Sequence, residues 1–180
     1  MAEHRVLRMG DPELRTVSES VSCFDDSLAC LIQDLWDTMA ARGGVGIAAP
    51  QIGVPLRVVV FELVSSERYP EAPPVPRTVL INPELTFPDD EMVDAWEGCL
   101  SVPGLRGVVP RFRQIRYSGL DANGSRFERE ARDFHARVVQ HECDHLDGVL
   151  YPQRMRDLAT LGFEEELSLS QRLGEISCQV

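Results

Sequence analysis

Gln140-His141-Glu142-Cys143-Asp144-His145 decides how this chain is read, because it sets two imidazoles four residues apart with a carboxylate directly after the first. On a helix, residues i and i+4 lie one above the other, so both rings can reach one divalent ion. Glu142 lies about 100° further round the helix and can reach a water held by that ion. This is the H-E-x-x-H arrangement of metal-assisted hydrolysis. The motif also arises by chance, so the reading requires a third ligand.

The surrounding residues support the helix. Phe134, Val138, His141 and His145 share one face over residues 133–147, and Gly148 offers a stop. The histidines are predicted to face inward, and Cys143, at the variable position, to face away and stay inert. Upstream, residues 114–120 alternate, Asn123-Gly124 marks a tight turn, and residues 126–130 are predicted to return as the partner strand. Residues 57–63 and 78–81 are short apolar runs that read as strands, and residues 65–77, with four prolines, read as a surface loop. Asp25-Asp26-Ser27 opens an amphipathic helix through Leu28, Ile32, Leu35, Trp36 and Met39, stopped at Gly43-Gly44. A last amphipathic helix is expected within residues 157–173, on Leu158, Leu161 and Leu167.

Composition narrows the chemistry. All 18 cations are Arg, so Schiff-base or Lys-nucleophile mechanisms are excluded. A net charge of −11 disfavours nonspecific binding to nucleic acid, and none is expected. With 43% apolar residues and no run near the roughly 20 that a membrane span needs, a membrane protein is not expected either. Five cysteines, an odd count without a close pair or a signal peptide, point to a reducing compartment, with the cytoplasm as default.

Two sources of a third ligand are open. The extended H-E-x-x-H-x-x-G-x-x-H pattern fails, because Tyr151 stands where it wants His. A zinc metalloprotease of this class would instead use a later glutamate, here Glu164, Glu165 or Glu166, in an acidic cluster that also reads as a solvated face. Upstream, Glu97-Gly98-Cys99-Leu100-Ser101 places a thiol 42 residues before His141. Thiolate is a strong metal donor, although a free Cys is most often a small buried hydrophobe. A third stretch, residues 44–53, combines glycines with one amide side chain, Gln51, and lacks the Lys-Ser/Thr of a phosphate loop.

Taken together, the three stretches resemble the peptide deformylase family, whose motifs are G-ϕ-G-ϕ-A-A-x-Q, E-G-C-ϕ-S and Q-H-E-x-D-H, with ϕ apolar. All three occur here in order, and Leu7-Arg8-Met9-Gly10-Asp11-Pro12 with Leu14 is similar to that family's amino-terminal segment. The resemblance implies that Cys99, His141 and His145 hold one divalent ion, with Fe(2+) favoured and Zn(2+) or another ion also suited. It implies removal of the formyl group from N-formylmethionyl nascent peptides. Glu142 would act as general base, while the Gln51 amide and the Leu100 backbone N–H would stabilise the oxyanion. We read Val45, Gly46 and Val138 as peptide-binding residues, with Arg106 and Arg137 near enough in sequence to contribute. Glu97 is expected to hold the Cys99 segment by pairing with an Arg such as Arg111. Some members dock on the ribosome through a basic carboxy-terminal helix. Here residues 152–180 carry three Arg against one Asp and four Glu, which weakens that route to transient ribosome association.

We therefore expect one catalytic domain over residues 1–180 with an α+β fold. Small, mainly antiparallel sheets should pack around a central metal-binding helix, with an N-terminal amphipathic helix and a C-terminal helix.

Overall fold

The computed structural model describes residues 3–64 and 72–167. Its helices are α1 (Asp26–Ala41) and α2 (Asp133–Leu146), and its strands are β1 (Gly46–Ala48), β2 (Val58–Leu63), β3 (Val75–Thr86), β4 (Met92–Cys99), β5 (Val102–Phe112), β6 (Gln114–Leu120), β7 (Arg126–Arg132) and β8 (Gly162–Phe163). They form a five-stranded sheet in the order β1-β2-β3-β6-β7 and a three-stranded sheet in the order β4-β5-β8. Every strand pair in both sheets is antiparallel.

The larger sheet carries helices on both faces, which explains the unbroken apolar run of β2. Val59 and Phe61 point to one side and join Ala136, Val139, Cys143 and Leu146 of α2. Val58 and Val60 point to the other and join Leu28, Ile32, Leu35 and Trp36 of α1. Asp25 caps α1, its carboxylate accepting from the Ser27 and Leu28 N–H groups. Helix α2 ends just past His145, where Gly148 takes φ +71° and a Cβ would meet the Arg15 backbone at 2.5 Å. The expected β6–β7 hairpin forms, with a register from Gln114 opposite Arg132 to Leu120 opposite Arg126.

Two expectations are corrected, and two strands were not foreseen. Residues 78–81 are only the middle of β3, which starts at Val75, so the loop read over residues 65–77 overreaches at its end; residues 65–71 lie outside the described residues. Strands β4 and β5 went unread because β5 contains Pro103, Gly104, Gly107 and Pro110. The helix expected within residues 157–173 is absent from its described part, where a short 3₁₀ turn at Leu158–Thr160 leads into β8. Leu161 packs near Val109 and Tyr151, and the Glu164 N–H donates to the Gly104 carbonyl, so the segment extends the smaller sheet. Residues 168–173 lie outside the described residues. Among the described residues no helix is long and apolar enough to cross a membrane.

Candidate metal centre

Helix α2 turns His141, Glu142 and His145 toward the end of β4. Register shifts between Gly98 and Cys99, an irregularity of the kind that re-aims a side chain. The Cys99 sulfur comes to 3.2 Å from His145 Nε2. Ligand atoms of Cys99, His141 and His145 all lie within 4.8 Å of one another. One thiolate and two imidazoles form a donor set suited to zinc or iron, and the residues present fit a divalent ion.

The sequence-expected pairing of Glu97 with Arg111 is present, and it is larger than expected. Arg111 donates Nε and Nη2 to the two Glu97 oxygens at 2.9 and 3.0 Å, and Arg137 adds Nη1 at 2.8 Å. Glu97 Oε2 also accepts from His141 Nδ1 at 2.9 Å, which fixes that ring and leaves Nε2 for the ion. Burial alone would raise the Glu97 pKa, but Arg111 and the His141 bond hold it well below the usual carboxylate range. Arg111 continues to Asp144 at 2.6 Å, and Asp144 to Arg154 at 2.7 Å. Sequence reasoning missed Asp144 and Arg154; the signal for Asp144 was its place in Q-H-E-x-D-H.

Glu142 is buried, and its Oε2 has no hydrogen-bond partner among the described residues. Burial, the main cause, pushes its pKa up to about 7. Gly46 leaves room for this group, since a Cβ there would collide with the Glu142 carboxylate. Gln51 is oriented at both ends of its amide. Its Oε1 accepts from the Ala48 N–H at 2.8 Å, while Nε2 donates to Ser101 Oγ at 3.1 Å and reaches Cys99 Sγ at 3.6 Å. The amino-terminal segment is tied beside it, with the Leu7 N–H donating to the Gln51 carbonyl and the Met9 N–H to that of Ser101.

These groups open on a cleft of about 480 Å³ lined by Val45, Gly46, Gln51, Leu100, Val138 and Glu142, together with Cys99 and His141. Phe134 also lines it. Arg106 is not among the lining residues; it is buried, with Nε 3.6 Å from Glu164, which is. Arg106 stands opposite Gly98 in the β4–β5 pair, just before the register shift at Cys99. Arg137 reaches the cleft wall, but its guanidinium is committed to Glu97 and the Val109 carbonyl. Glu164, Glu165 and Glu166 do not enter the donor cluster, which removes the third ligand that a protease reading needed. Cys143 points into the core among Ala136, Val139 and Leu146, and burial pushes its thiol pKa far up.

A helix-borne H-E-x-x-H, a thiol from a neighbouring sheet and a buried carboxylate over a cleft define a metal-dependent hydrolase. Residues 3–160 match the family described as polypeptide deformylase, and the chain belongs to that family. It is 59% identical over 165 residues to peptide deformylase 1 of Bordetella pertussis, covering 91% of this chain and 94% of that one. Peptide deformylase 1 of Nitrosomonas europaea is 53% identical over 171 residues, covering 94% and 97%. Among solved structures, a class I type b peptide deformylase from Acinetobacter baumannii with Met-Ala-Ser bound superimposes with a TM-score of 0.83 at 37% identity, over 86% of this chain and 99% of that chain. The family is metal-dependent, and Cys99, His141 and His145 are the described group that could bind the metal.

Proposed function

We infer that this chain hydrolyses the formyl amide of N-formylmethionyl peptides, releasing formate and a free amino terminus. The observation that carries the reading is that the third donor beside the two histidines is Cys99, with the Gln51 amide against it. The bound Met-Ala-Ser in the Acinetobacter baumannii relative supports a peptide as ligand.

Cys99, His141 and His145 would hold the ion, with Fe(2+) favoured by family habit and Zn(2+) equally compatible with the donors. When bound, the ion supplies Lewis acidity, polarising the formyl carbonyl and acidifying water. The remaining work falls to side chains of this chain. Glu142 takes the proton of the attacking water on its buried carboxylate and passes it to the departing amine nitrogen, so one group serves both halves of the reaction. Gln51 Nε2, with the Leu100 N–H as second donor, meets the carbonyl oxygen as it gains charge. Val45 and Val138 offer apolar surface to the methionine side chain, next to the bare Cα of Gly46. Glu97 holds His141 in the orientation the ion requires.

The test is formate release from formyl-Met-Ala-Ser, with chromatography of the peptide product. Formate with an intact Met–Ala bond, retained in Glu165→Ala, is expected. Cleavage between Met and Ala, or loss of turnover in Glu165→Ala, would return the protease reading.

A further inference from the structure

The chain carries a net charge of −11, yet three exposed guanidinium groups, Arg5, Arg8 and Arg42, line the cleft that holds the metal donors. Backbone hydrogen bonds hold the segments that carry Arg8 and Arg42. Arg8 lies between Leu7 and Met9, whose N–H groups donate to the carbonyls of Gln51 and Ser101 at 2.8 and 2.7 Å. Arg42 follows the last turn of α1 and precedes the Gly43–Gly46 run that lines the other wall. Arg42 pairs with exposed Glu3, while Arg5 and Arg8 have no carboxylate partner among the described residues.

The acidic residues of the same cleft do not balance them. Glu97 is held by Arg111 and Arg137, Glu142 sits beside the metal donors, and Glu164 lies near Arg106. The rim is thus locally cationic on a strongly anionic protein, and a cleft focuses such a field on whatever enters it. A peptide whose formyl end is at the metal centre must lead its following residues out past this rim. Resting on the formyl-peptide reading above, we propose that Arg5 and Arg8, assisted by Arg42, are specificity-determining residues that favour substrates with carboxylate side chains shortly after the formylmethionine.

The test compares kcat/KM for formate release from three C-terminally amidated peptides, formyl-Met-Ala-Glu-Glu, formyl-Met-Ala-Ser-Ser and formyl-Met-Ala-Lys-Lys. Amidation leaves the side chains as the only carboxylates. The Glu-Glu peptide should exceed the Lys-Lys peptide by about tenfold, the scale that a few solvent-exposed charge pairs supply. That ratio should shrink in about 0.5 M salt, where the screening length is only a few ångströms. In the double variant Arg5→Gln/Arg8→Gln the ratio should fall toward one. Equal kcat/KM for the Glu-Glu and Lys-Lys peptides in the wild type, or a ratio unchanged in the double variant, overturns the proposal. Formate release from the Ser-Ser peptide in the same wild-type assay keeps that failure distinct from failure of the deformylase reading, in which no peptide yields formate.

Discussion

The two sheets do different work with different residues. The five-stranded sheet is a packing device: Val58, Val59, Val60, Phe61, Leu80, Ile81 and Ile115 are fully buried in it, and it positions α2 through apolar contact. The three-stranded sheet buries few apolar side chains, Val102 and Val109 among them, but also buries Glu97, Arg106 and Arg111 and ends one strand on Cys99. Apolar packing contributes stability roughly in proportion to area. A buried charge network contributes little net stability while intact, but is costly to break unevenly and fixes orientation. Damage to the larger sheet should therefore cost folding free energy, and damage to the smaller sheet should cost metal and turnover.

Substitutions can break that division. The largest effect is expected at Glu142, on the helix the two sheets share: Glu142→Gln should lose about 10²- to 10⁴-fold in kcat. Its metal content, measured on the purified protein, should stay unchanged. Next, Gln51→Leu should lower kcat by about 10²- to 10³-fold, the usual cost of one oxyanion donor; unaltered kinetics would remove Gln51 from the mechanism. Glu97→Gln should weaken metal affinity by about 10- to 100-fold in competition with a chelator, as loss of a carboxylate behind a ligating histidine does. If it retained full affinity, the smaller sheet would lose its distinct role. Smallest is Ile115→Val in the larger sheet, expected to cost about 0.5–1.5 kcal/mol in denaturant unfolding with kcat/KM and metal affinity of the folded protein unchanged.

The same division explains what could be read from sequence. The larger sheet announced itself through the Val-rich β2, the alternation of β6 and the Asn123-Gly124 turn, and α2 through the spacing of its histidines. The smaller sheet was hidden by Pro103 and Pro110, which ordinarily argue against a strand. Both are tolerated because, among the described residues, the side of β5 away from β4 is paired with another strand only at Leu105 and Arg106. At the site, Cys99, His141, His145, Glu142 and Gln51 were legible because each lies in a contiguous motif. Asp144 stands in the Q-H-E-x-D-H motif, but its partner Arg154, like Arg137 beside Glu97, is brought to it only by folding, so neither pairing leaves a local signal.

The central claim is that Cys99, His141 and His145 together hold the one ion on which turnover depends. Chelated protein titrated anaerobically with Co(II) tests it, reading thiolate-to-cobalt charge-transfer absorbance and formate release from formyl-Met-Ala-Ser on the same samples. Both signals should rise together and saturate at one ion per chain, and both should vanish in Cys99→Ser. Turnover that saturates without the charge-transfer band, or a band that survives Cys99→Ser, would contradict the assignment.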